Sequence, residues 1–284
     1  MTRTTRAVTT LITVALWATV HLDSAQARGF KVYGYSTSPQ GEVEAAYWLT
    51  HVLQSGSTYN FFGKTVEKEG LSQHSFELEY GVTDRWMVSG YLDFEDHPDG
   101  ELQYAQFRAV MSRYRLFEQG ERFMDTAIYF EYYIPQASYQ RDEKLEARLI
   151  FEKDLLPFVV RLNPIFEKAL SGADVGEGTE LEYAAGVYTP VGAVKVGLEA
   201  YGKLGEFGNW KPRDAQEHYV FPDVEFHLGP HVEMNLGVGV GLTKASDDLL
   251  VKTRLLEGEV GSLKGQLADA RGKAKAAKEK EKSA

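Results

Sequence analysis

His74–Glu95 reads HSFELEYGVTDRWMVSGYLDFE, two alternating runs pinched around Val82-Thr83-Asp84-Arg85. Phe76, Leu78 and Tyr80 share one face of the first run, and Glu77 and Glu79 share the other. Because successive side chains of a strand point to opposite sides, this is a strand with one apolar and one charged face. In a soluble sandwich the charged face meets bulk water. In an outer-membrane barrel the apolar face meets lipid and the charged face meets an enclosed lumen. One hairpin fits both, so the choice rests on the rest of the chain.

Twelve alternating segments are found between turn-rich punctuation, at 42–52, 72–81, 86–95, 102–115, 123–134, 143–153, 158–168, 179–188, 193–202, 218–228, 231–241 and 249–259. Most reach the roughly 9 to 11 residues that a tilted strand needs to cross a hydrocarbon layer. Their connections sort by parity. VTDR, FEQGER, KDLLP, TPVGA and LGPH are tight, whereas 53–71, 95–101, 135–142, 169–178, 203–217 and 242–248 are mostly longer and rich in Gly, Ser, Asp, Pro or Lys. Short periplasmic turns alternating with longer extracellular loops are the signature of an outer-membrane barrel, and Greek-key sandwiches mix the two. The expected fold is all-β, a transmembrane antiparallel barrel of about twelve strands.

The N-terminus agrees with export. Arg3 and Arg6 precede the apolar run LITVALWATV, and Ala25-Gln26-Ala27 supplies a small-residue cleavage site. The expected organisation is a signal peptide over 1–27, a barrel over 28–260, and a tail over 261–284. In the tail, Val260, Leu263, Leu267 and Ala270 recur at helical spacing before an Ala/Lys/Glu-rich end. A periplasmic amphipathic helix with a charged low-complexity end is expected there, available for a periplasmic contact. The chain of 284 residues has no cysteine and a net charge of -10. Disulfides and thiolate metal sites are thereby excluded, and nucleic acid is an unfavourable partner. Outer-membrane lipid and a small solute of unknown identity are the expected partners, in the outer membrane of a Gram-negative bacterium.

Assigning charged groups away from lipid puts a defined set on the inner wall. The candidate lumen lining is Glu44, Glu77, Glu79, Asp93, Glu131, Glu146, Glu152, Glu182, Glu199, Glu225 and Glu233, with Arg108, Arg148, Arg161, Lys195, His227, Lys252 and Arg254. Two readings follow. An open, water-filled bore with this acidic excess favours cations or neutral polar solutes. A closed bore would instead have its carboxylates and cations paired across the lumen. Trp48, Tyr80, Trp86, Tyr91 and Tyr188, near strand ends, are candidates for interfacial aromatic belts.

Catalytic patterns are sparse. The histidines after the leader are His51, His74, His97, His218, His227 and His231, none in a nucleophile elbow, a His-x-His pair or a His-Glu-x-x-His helix. Ser75 follows His74 directly and so points to the opposite face of its strand. The expectation is a non-enzyme with no cofactor and no metal, giving passage to small solutes. A closed structural or binding barrel comes second, and a rim-acting lipid hydrolase third.

His74–Gly90, with ELEYGVTDRW at its centre, resembles the recurring strand-turn-strand hairpin of the phenol-degradation meta-pathway family of bacterial outer-membrane barrels. The resemblance extends more loosely over the mature chain to about Val260. It implies an outer-membrane location and porin-like passage of small, hydrophobic compounds. The last strand, LLVKTRLLEGEV, ends in Val260 and lacks the terminal aromatic frequent in such barrels.

Overall fold

The computed structural model describes residues 30–228 and 232–257. The leader, its cleavage site, His231 and the tail lie outside the described residues. Twelve long strands form the wall: β1 Val43–Gln54, β2 Ser72–Thr83, β3 Trp86–Asp96, β4 Gln103–Arg115, β5 Asp125–Pro135, β6 Lys144–Leu155, β7 Phe158–Ala169, β8 Glu180–Val191, β9 Val194–Glu206, β10 Glu217–His227, β11 Val232–Gly241 and β12 Leu249–Glu257. Each pairs antiparallel with its sequence neighbours, and β1 pairs with β12 from Ala45↔Glu257 to Gln54↔Leu249. The sheet therefore closes on itself and leaves no free edge, which removes the unpaired backbone groups that lipid cannot satisfy.

Side-chain alternation sorts the wall as the sequence pattern requires. Phe76, Leu78 and Tyr80 face outward and are 51%, 59% and 46% exposed, whereas Glu77 and Glu79 between them are buried inward. Small residues make room on the inner face. A Cβ on Gly239 of β11 would lie 2.1 Å from the ring of Phe221, so glycine lets that aromatic sit against the wall.

The expected alternation of connections holds except at one place. The turns at 84–85, 156–157 and 192–193 are tight, but β5 starts at Asp125, so FEQGER belongs to a nine-residue connection at 116–124. That segment is held by side chains around it: Gly120 N–H donates to Asp125 Oδ1 at 2.6 Å, and Arg85 of the neighbouring turn pairs with Glu118 at 3.0 Å. At the opposite end the first long loop contains a short hairpin, Thr58–Phe61 with Lys64–Glu67, and brief 3-10 turns fill three other loops. In outer-membrane barrels generally, the short-turn end is the periplasmic one and the long-loop end the extracellular one.

Residues 30–39 belong to no strand and run inside the barrel. Phe30 packs against Tyr201, Tyr219 and Phe221 near the long-loop end, and Gly41 N–H donates to Gly81 O at the short-turn end. The segment thus descends through the lumen before β1 climbs back through the wall. Tyr33 and Tyr35 are buried with Tyr91, Val110, Ala127, Tyr129 and Ile150.

Candidate functional site

All eighteen candidate residues occupy inward positions on their strands, and they differ in what they meet. Most of the ion pairs run along the wall. Arg108 on β4 reaches Asp93 on β3 at 2.6 Å and Glu131 on β5 at 2.8 Å. Arg161 on β7 reaches Glu152 on β6 at 2.6 Å, and Arg148 meets Glu146 two residues away on β6 at 2.9 Å. Lys195 pairs with Glu225 on the adjacent strand, and Arg254 pairs with Glu225 and Glu233. Glu182 on β8 shares Lys203 on β9 with Glu180. Lys252 on β12 and Glu199 on β9 form the pair that skips two strands. Neighbour-to-neighbour pairing satisfies buried charge while leaving the bore to be filled by something else.

That filling is the N-terminal segment, which the sequence pattern did not reveal. Its backbone is matched by wall side chains in place of a ladder. Tyr33 N–H donates to Asn163 Oδ1 at 2.7 Å, and Asn163 Nδ2 returns a bond to Tyr33 O at 3.1 Å. Tyr35 N–H donates to Glu152 Oε2 at 3.3 Å, and Arg148 Nη1 donates to Lys31 O at 3.0 Å. A Cβ on Gly34 would lie 2.9 Å from the Arg161 guanidinium, so glycine permits this close passage.

The segment leans on the wall from β3 to β7 and leaves a cavity of about 570 Å³ on the other side, bounded by β1, β2 and β8 to β12 with Arg113 of β4 and Arg161 of β7 reaching its edge. Pro39, Glu44 and Leu256 line it at the short-turn end, and Phe30 and Lys252 line it deeper in the barrel. Its lining carries six carboxylates, Glu44, Glu77, Glu79, Glu199, Glu225 and Glu233, against six cations, Lys31, Arg113, Arg161, Lys195, Lys252 and Arg254. The acidic excess among the candidate wall residues is thus absent from the cavity, because Arg113 and the segment's own Lys31 offset it.

Above the cavity the long-loop end is capped. Tyr59 of the loop hairpin and Tyr139 both donate to Glu95 Oε1, at 2.6 and 2.7 Å. Burial, followed by the Glu95 charge, pushes both hydroxyls above the ordinary tyrosine range, so they remain protonated donors. Lys68 Nζ donates to Asp247 Oδ2 at 2.7 Å, and Phe61 and Leu71 are buried with Phe30.

Three of the five expected belt aromatics face inward. Tyr91 and Tyr188 are buried, and Trp48 lines the cavity with Nε1 donating to Glu77 Oε2 at 2.7 Å. Tyr188 donates to Glu199 Oε1 at 2.7 Å. A ring with a polar handle suits a lumen with carboxylates as well as it suits a headgroup layer, and position near a strand end does not separate the two. Tyr80 and Trp86 do face outward near the short-turn end, at 46% and 37% exposure.

The histidines divide likewise. On the outer face, His51 Nδ1 lies 2.9 Å from Ser72 Oγ of the neighbouring strand near the long-loop rim, and His74 Nδ1 lies 2.7 Å from the Tyr47 hydroxyl. Ser75 points inward, 3.4 Å from Arg108 Nη2. His227 is at the short-turn end, 4.0 Å from Glu233, where Glu225, His227 and Glu233 hold donor atoms within 4.8 Å of one another. Arg254 contacts both carboxylates of that group, filling it with a guanidinium.

Among solved structures the chain is similar to an outer membrane channel from Pseudomonas putida, at 14% identity and a TM-score of 0.55, over 79% of this chain and 97% of that one. This is the fold of an outer-membrane barrel. Other similar structures are outer membrane phospholipase A from Escherichia coli, at 8% identity and TM-score 0.44 over 81% and 93% of the two chains, and LpxR from Salmonella typhimurium, at 9% and 0.43 over 75% and 99%. No family model matches the chain, and no curated protein sequence matches it. The expectation that the chain is not an enzyme is corrected by these findings. Phospholipase A is an enzyme, so an outer-membrane barrel does not exclude catalysis, and the missing motifs cannot carry that exclusion.

Proposed function

We propose that this outer-membrane barrel passes small organic solutes, and that residues 30–39 close it in the state described. The observation that carries this reading is the cavity of about 570 Å³ beside the segment. A structural barrel has no need of a lumen that is packed on one side and empty on the other, and a volume in this range suits a small-molecule site. The segment makes no ladder hydrogen bonds with the wall, so it can leave without opening the barrel. The hairpin resemblance at His74–Gly90 supports small organic compounds as the cargo.

Liposome swelling tests the reading. With the purified full chain, liposomes shrunk in glycine or arabinose are expected to re-swell faster than protein-free liposomes. Equal rates, with the barrel shown folded by heat-modifiable gel mobility, refute passage and favour a closed binding or structural role.

A second reading is favoured by the contact between His51 and Ser72, which puts a base against a hydroxyl on the lipid-facing side of the rim. A hydrolase acting on membrane lipid would use Ser72 as nucleophile. Fatty-acid release from phospholipid that disappears in Ser72→Ala supports it, and release unchanged by that substitution refutes it.

A further inference from the structure

Lys31 is the group in the lumen whose surroundings fit it least. Its side chain is almost wholly buried, yet Nζ has no hydrogen-bond partner among the described residues. What surrounds the ammonium is aromatic: the Tyr91 ring centroid lies 3.8 Å away and the Trp48 centroid 4.2 Å away. Glu77 Oε2 stands at 4.0 Å, beyond hydrogen-bond reach, and already accepts from Trp48 Nε1 at 2.7 Å. The Tyr91 hydroxyl in turn is held 2.9 Å from that of Tyr33. Two rings fixed by polar handles, with a carboxylate behind them, form a box built for positive charge.

The chemistry of the box departs from what a lysine needs. A primary ammonium carries three N–H donors, each of which seeks an acceptor. An ammonium bearing methyl groups has fewer or none, and draws its stabilisation from ring faces and a nearby negative charge. Lys31, Trp48 and Glu77 all line the cavity of about 570 Å³, so the box opens into space for the rest of a ligand.

We propose that Trp48, Tyr91 and Glu77 form a binding site for small methylated-ammonium solutes, and that Lys31 occupies it as a built-in competitor while the segment is in place. This rests on the reading of the barrel as a solute passage and names one class of its cargo. The segment is then an autoinhibitory contact: a cationic solute and the Lys31 side chain exclude one another from a single box. Removing Lys31 also leaves six carboxylates against five cations in the cavity lining, a balance that favours positive solutes.

Equilibrium binding to the purified, folded full chain in detergent tests this without requiring an open bore. The probes are choline and 3,3-dimethylbutan-1-ol, its uncharged carbon analogue, measured by titration calorimetry. Lys31→Ala is expected to bind choline about tenfold or more tighter than the parent chain. The uncharged analogue should show no such gain, and adding Trp48→Leu should abolish it. Lys31→Gln, which keeps a side chain of moderate length, replaces Lys31→Ala if that variant does not fold, under the same criteria. Choline bound no tighter than by the parent, the analogue bound as tightly as choline, or indifference to Trp48→Leu each overturns the proposal. None of these results alters the swelling rates, so failure of the site and failure of the passage reading stay distinguishable.

Discussion

Replacing Arg108 with alanine is expected to destabilise the folded barrel by about 3 to 5 kcal/mol, the range for a buried pair that loses one partner. Arg108 donates through Nε and Nη2 to Asp93, at 2.6 and 3.1 Å, and through Nη1 to Glu131 at 2.8 Å. The three side chains are 5%, 2% and 2% exposed, so water screens none of them. Alanine would leave two carboxylates facing each other without a cation, and it would also remove a guanidinium 4.0 Å from the Tyr91 centroid. Denaturant midpoints of the barrel refolded into vesicles measure the effect. Adding Asp93→Asn and Glu131→Gln should recover much of the loss, because neutral amides need no counter-charge. A single-mutant loss below about 1 kcal/mol, the size of an exposed pair, would mean that water reaches this half of the lumen.

The wall was legible from period-two alternation alone. Each of the twelve segments read from the sequence corresponds to one strand of the closed sheet, because lipid on one side and charge on the other enforce the same alternation in every strand. Boundaries slipped where a connection is ordered by side chains, as at Gly120 and Asp125. The occupant of the lumen was not legible. Residues 30–39, FKVYGYSTSP, bond to Asn163 and Glu152, 130 and 117 positions away, and no local pattern encodes so distant a match. One cue was present: Phe30, Tyr33 and Tyr35 form an aromatic run ahead of the first strand, with no wall position to receive them. Asn163 gave its own weaker cue, an amide at an inward position of β7. The inward turn of Trp48, Tyr91 and Tyr188 escaped notice because ring and polar handle suit two environments equally.

The same geometry changes how the lumen is closed. Carboxylates and cations paired across the bore would make closure a property of the wall, and substitutions in the wall would open it. The pairs instead run mainly between adjacent strands, and residues 30–39 occupy part of the space they leave. Wall substitutions such as Arg108→Ala should therefore act on stability, and changes in the segment should act on permeation.

Deleting residues 30–39 is the change with the largest expected effect on permeation. It removes the tyrosine layer against Ala127 and Tyr129, the Phe30 contact with Tyr201, Tyr219 and Phe221, and the Lys31 charge in a single step. Twelve strands enclose more than side chains alone can fill, as eight-stranded barrels are filled, so a continuous bore should remain. Single-channel conductance in a planar bilayer is the most direct measurement of the central claim, comparing the full chain with the deletion under one salt gradient. The predicted result is a small conductance for the full chain and one about tenfold or more larger for the deletion. Its reversal potential should be displaced toward cations, since Glu77 and Glu79 stay while Lys31 leaves. Equal conductances from two folded barrels, or a wide-open full chain, would contradict closure by this segment.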